Sequence, residues 1–104
     1  MTQAPLPARD LELVRSVLRQ HPEIASATLF GSRAKGTHTP RSDVDLALAG
    51  SLGALDAEAI AAELEELPLP YRFDVHALGA ITYMPLLEHI ERVGMVIYPE
   101  HQSP

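Results

Sequence analysis

The chain has 104 residues, 46% of them hydrophobic and 21% charged, the make-up of one ordinary folded domain with a single modest core and no second module. It contains no cysteine, which excludes a disulfide framework and any thiolate metal site, and its formal charge of −6 argues against direct, non-specific binding of nucleic acid. No apolar run approaches the roughly 20 residues that span a bilayer, and Met1 to Asp10 lacks the basic-then-apolar pattern of a signal peptide, so no membrane role and a cytoplasmic location are expected.

In chain order, residues 1–10 carry Pro5 and Pro7 and read as a flexible arm, ahead of a single domain over 11–99 and a short tail over 100–104. Leu11, Val14 and Leu18, flanked by Leu13 and Val17, follow helical spacing, and His21-Pro22 closes that helix. Ala25 to Phe30 reads as a strand running straight into Gly31, where Gly-Ser predicts a tight turn into a short helix. Asp43 to Ala49 alternates strictly, with Val44, Leu46 and Leu48 on one face and Asp43, Asp45, Ala47 and Ala49 on the other. Asp56 is the expected N-cap of a helix carrying Ile60, Leu64 and Leu67, stopped by Pro68 and Pro70. Tyr71 to Leu78 is strand-like, Thr82 is the expected cap of a helix with Leu86, Leu87, Ile90 and Val93 inward, and Met95 to Tyr98 makes a last strand. The class is α/β (α+β): a small mixed sheet of about four strands, with helices mainly on one face.

The unusual residues gather between 30 and 45. No acid lies between Glu23 and Asp43, while Arg33, Lys35 and Arg41 all fall there, so an acidic chain keeps one basic patch beside two aspartates. Asp43 and Asp45, two apart on a strand, project to one side, where they repel unless a cation bridges them or one binds a proton. Mg²⁺ suits such a pair, because it takes hard oxygen ligands and completes its shell with phosphates and water. Backbone N–H groups at the Gly31 turn and the Ser32 hydroxyl are ready phosphate donors, with Arg33 and Lys35 available for a triphosphate. Asp74 sits mid-strand, where a charge is disfavoured without a reason; it either pairs at the surface with Arg72 or His76, or supplies a third carboxylate to a two-metal site.

Three other chemistries fail on pattern. Gly31 to Thr37 nearly matches a P-loop, but its lysine precedes the second glycine. No histidine pair has helical zinc spacing, and His21, His89 and His101 are not near the candidate site in sequence, unlike His38 and His76. Ser32 lacks the G-x-S-x-G surround of a serine nucleophile.

Taken together, Gly31-Ser32-Arg33-Ala34-Lys35-Gly36, Ser42-Asp43-Val44-Asp45-Leu46 and the acid at Asp74 resemble the polymerase-β-type nucleotidyltransferases, in particular their minimal (MNT) branch. Lys35 replaces an arginine often found before the second glycine and keeps its charge. The resemblance implies two Mg²⁺ ions held by Asp43, Asp45 and Asp74, and nucleotide binding by Gly31, Ser32, Arg33, Lys35 and Ser42. It also implies AMP transfer from ATP, with Asp74 helping the acceptor oxygen lose its proton. With no acceptor-binding domain expected, a partner must bring the acceptor in a homo- or hetero-oligomer. For stand-alone members of this branch that partner is a HEPN-family ribonuclease toxin, adenylylated on a hydroxyl by its antitoxin. The alternatives are an idle antitoxin acting by contact, and a subunit of a small-molecule (aminoglycoside-type) nucleotidyltransferase.

Overall fold

A computed structural model describes residues 5–99. The elements are α1 (Ala8–Leu18), β1 (Ile24–Phe30), α2 (Ser32–Lys35), β2 (Val44–Gly50), α3 (Ala54–Glu65), β3 (Phe73–Ala77), a 3-10 turn (Leu78–Ala80), α4 (Met84–Val93) and β4 (Met95–Tyr98). The four strands form one mixed sheet in the order β3-β2-β1-β4. β1 is antiparallel to both β2 and β4, while β2 runs parallel to β3. The β2-to-β3 step is a crossover through α3, as a parallel pair requires.

The alternation in β2 decides the layering. Val44, Leu46 and Leu48 are fully buried in the larger core, where Val14 and Leu18 of α1 and Ile60 and Leu64 of α3 pack against them. Ala47, on the opposite face, is also buried, in a smaller cluster with Phe30 and Ile90 that Leu86 and Val93 of α4 extend. Two long helices thus cover one face of the sheet and α4 covers part of the other. Asp45 lies on the thinly covered side, on the same face as Ala47.

Several boundaries differ from expectation, each for a local reason. The arm does not reach residue 10, because α1 starts at Ala8 and Leu6 is buried in the core. The first four residues of the arm and the expected tail over 100–104 lie outside the described residues. Asp56 does not precede its helix. It occupies the first turn of α3, where its carboxylate accepts the Gly53 N–H at 2.8 Å. Thr82 is not the cap of α4 either; the chain stays extended through Tyr83, and Pro85, which needs no donor in a first turn, fixes the start.

Candidate active site

The strand register brings the acids together. Phe30 of β1 faces Asp45 of β2, and Asp45 faces Asp74 of β3, so the three residues form one row across three strands. Directly opposed side chains on neighbouring strands share a face, and like charges so placed repel. Asp43 lies two residues before Asp45, exposed at the mouth of β2. Asp45, half-buried, responds most: burial first, then the charges of Asp74 and Asp43, push its carboxyl up to about 6, and His76 opposes the rise. Asp74 is more open, with its side chain 59% exposed, and its Oδ2 meets His76 Nε2 at 3.2 Å. The surface pairing with His76 is therefore present, and it leaves Asp74 opposite Asp45.

The glycine turn closes on this row. Gly31 has φ +77°, a conformation open to glycine and strained for other residues. A β-carbon there would stand 2.2 Å from Asp45 Oδ2, so the missing side chain is what lets the carboxylate lie against the turn. The Gly31 carbonyl accepts the Lys35 N–H at 3.1 Å, which starts α2 and sets half-buried Ser32 in its first turn. A phosphate-scale ligand at the turn would thus meet the backbone, Ser32 and the acid row at once.

Residues 12–103 match the family model described as Polymerase beta, Nucleotidyltransferase. The chain belongs to that family. No match to a curated protein sequence was found. Among solved structures, this nucleotidyltransferase is similar to a toxin–antitoxin complex with AMP-PNP, at 22% identity and a TM-score of 0.73, over 85% of this chain and 72% of that one. It is similar to the MntA-HepT toxin–antitoxin at 18% identity and a TM-score of 0.68, over 88% and 72% of the two chains. A complex of tri-AMPylated Shewanella oneidensis HEPN toxin with MNT antitoxin gives 18% identity and a TM-score of 0.67, over 86% and 70%.

Two residues of this nucleotidyltransferase expected at the nucleotide are engaged elsewhere. Arg33 is 3% exposed. Its guanidinium donates to the carbonyls of Ser42, Pro5, Thr39 and Pro40 at 3.0–3.4 Å and lies over the Tyr71 ring, 4.5 Å from the centroid. Arg33 therefore holds the 39–42 loop and the N-terminal segment against the domain, and its charge is turned away from the turn's open side. Residues two apart on a helix face different ways, so Arg33 and Lys35 cannot both serve one ligand; exposed Lys35 is the available cation. The Ser42 hydroxyl accepts the Thr39 N–H at 2.9 Å and lies 3.4 Å from the Thr39 hydroxyl, which closes the loop that leads into Asp43.

His89 has the opposite history. Distant in sequence from the turn, it reaches it from α4 and accepts the Gly31 N–H on Nε2 at 3.2 Å. Its ring stands edge-on to Phe30, which also meets His76. The signal was present: in the stripe Leu86, His89, Ile90, Val93 at spacing i, i+3, i+4, i+7, one inward position is polar.

The donor set fits Mg²⁺ on electrostatic grounds. Burial first, and then the neighbouring Asp74 and Asp43 charges, disfavour an ionised Asp45, a penalty that a cation at the row would offset. Among the described residues, no three side chains of the His, Asp or Glu type are gathered closely enough to cage a metal by themselves. A site of a few carboxylates, completed by substrate phosphates and water, is the usual arrangement for this ion. Among the same residues no helix is long and apolar enough to cross a membrane.

Proposed function

We propose that this protein transfers AMP from ATP to a hydroxyl of a partner protein, a HEPN-type toxin, and neutralises it by that modification. The observation that carries the reading is the Asp45–Asp74 pair, opposed in register, flanked by Asp43 and lying against the Gly31 turn. Membership of the nucleotidyltransferase family supports the reaction class. The likeness to antitoxin structures, one with AMP-PNP and one with an AMPylated HEPN toxin, supports the donor and the acceptor.

In this reading the acceptor oxygen bonds to the α-phosphorus of ATP, the bond from that phosphorus to the bridging oxygen breaks, and pyrophosphate departs. Asp43, Asp45 and Asp74 would hold Mg²⁺ together with the substrate phosphates and water, and the bound ion would supply neutralisation of the phosphate charge. Asp74, the most open of the acids in the row, takes up the hydroxyl proton as the oxygen attacks. Ser32 binds the departing phosphates; Gly31, whose N–H is taken by His89, shapes the turn that presents Ser32 to them, and Lys35 supplies positive charge at the rim. Catalysis is then largely positioning and charge neutralisation. ATP as donor makes the cytoplasm the compartment of the reaction.

Incubating a candidate HEPN-type toxin, sought among the products of adjacent genes, with this protein, ATP and Mg²⁺, followed by intact-mass measurement, tests the reading. Addition of AMP by wild type and none by Asp43→Asn is expected. An unmodified partner that is nevertheless neutralised would replace the proposal with inhibition by contact.

A further inference from the structure

Gly31 is held at three points. Its carbonyl accepts the Lys35 N–H at 3.1 Å, its α-carbon lies against the Asp45 carboxylate, and its N–H is taken by His89. The first two contacts come from the turn and the sheet. The third comes from α4, a helix fixed to the sheet by Ile90, Leu86 and Val93 on the side of Phe30 and Ala47. To accept a hydrogen bond, Nε2 must present its lone pair, so the ring proton sits on Nδ1. The edge-on contact with Phe30, 6.1 Å between centroids, orients the ring for this.

We propose that His89 is a positioning residue for nucleotide binding: by accepting the Gly31 N–H it fixes the glycine turn, and with it the placement of Ser32 relative to Asp45. This rests on the reading that the turn takes the nucleotide phosphates. The peptide units around a positive-φ glycine rotate easily, since no β-carbon restrains them. A single acceptor from a packed helix removes that freedom before the nucleotide arrives, and pre-formed donors bind more tightly than donors that must be ordered on binding.

Two variants separate the hydrogen bond from the shape of the ring. His89→Phe keeps the packing on Phe30 and loses the acceptor; His89→Gln places an oxygen where Nε2 was. In the nucleotide-free protein, hydrogen exchange at the Gly31 amide should speed up about tenfold in His89→Phe and stay near wild type in His89→Gln. AMP-PNP titrated with Mg²⁺ should bind about three- to tenfold more weakly to His89→Phe, with His89→Gln within about twofold of wild type. Unchanged exchange in His89→Phe would overturn the latch. Faster exchange with unchanged AMP-PNP affinity would overturn the positioning role, as would a His89→Gln variant no better than His89→Phe. A wild-type protein with slow Gly31 exchange and no AMP-PNP binding would overturn the functional reading and the positioning role together, while the latch itself stood.

Discussion

Replacing Asp45 by Asn should stabilise the protein and abolish its activity, with a pH dependence that identifies the cause. In the unfolded chain the Asp45 carboxyl titrates near 3.8, and in the fold burial and the charges of Asp74 and Asp43 raise it to about 6. Below about pH 3 it is protonated in both states and has no effect on stability. As pH rises from there to about 6, the unfolded chain ionises first, so folding becomes progressively less favourable; above that the penalty is complete. A rise of about two units corresponds to about 3 kcal/mol, which partial exposure of the group reduces to roughly 1–2 kcal/mol. For a domain of this size each kcal/mol moves the melting temperature by about 4–8 °C. Urea and thermal unfolding of wild type and Asp45→Asn, each at about pH 3 and about pH 8, therefore give a clear readout. The variant should be more stable at the higher pH and equal to wild type at the lower one. An equal difference at both values, or a less stable variant at the higher pH, would refute the claim that Asp45 is an uncompensated charge.

Other perturbations discriminate the remaining parts. Gly31→Ala must place a β-carbon against Asp45 Oδ2 in a positive-φ conformation, so it should destabilise by about 1–3 kcal/mol and weaken nucleotide binding; denaturant unfolding and AMP-PNP titration measure both. Arg33→Lys leaves buried carbonyls without their fork of donors and should lower stability by roughly 2–4 kcal/mol in urea unfolding. If Arg33 served the nucleotide instead, that variant would fold normally and bind ATP weakly. His21 has its basicity raised chiefly by its hydrogen bond with Glu63 of α3, with Glu23 adding to it and burial opposing. That stabilisation is full below the unfolded value and is lost as pH rises through the raised folded one, so His21→Ala should be more destabilising at about pH 5.5 than at about pH 9.

What the sequence disclosed follows from how local each signal is. The β2 alternation and the helical stripes depend on neighbours within a turn or two, and they located seven of the main elements in order. The acid at Asp74 was conspicuous because strands rarely carry a bare charge at their centre, but its position opposite Asp45 needed the β2–β3 register, a non-local fact. Arg33 misled because a cation in a glycine-rich loop looks the same whether it faces solvent or carbonyl oxygens. Only the return of residues 39–42 and the N-terminal segment over it shows which. Ser42 has a structural task that the motif alone does not show: its hydroxyl accepts the Thr39 N–H three residues back and closes the loop. His89 lies far from the Gly31 turn in sequence, and only the α4 fold brings it there; its inward position on the helix stripe is the one local sign of it.

Transfer of label from ATP to the proposed HEPN-type partner tests the central claim most directly. With Mg²⁺ present, label from the α-phosphate should appear on the partner and label from the γ-phosphate should leave as pyrophosphate, with no transfer by Asp43→Asn or Asp45→Asn. Label arriving from the γ-phosphate, or α-label transferred equally well by both variants, would contradict a nucleotidyl transfer built on the Asp43, Asp45 and Asp74 carboxylates.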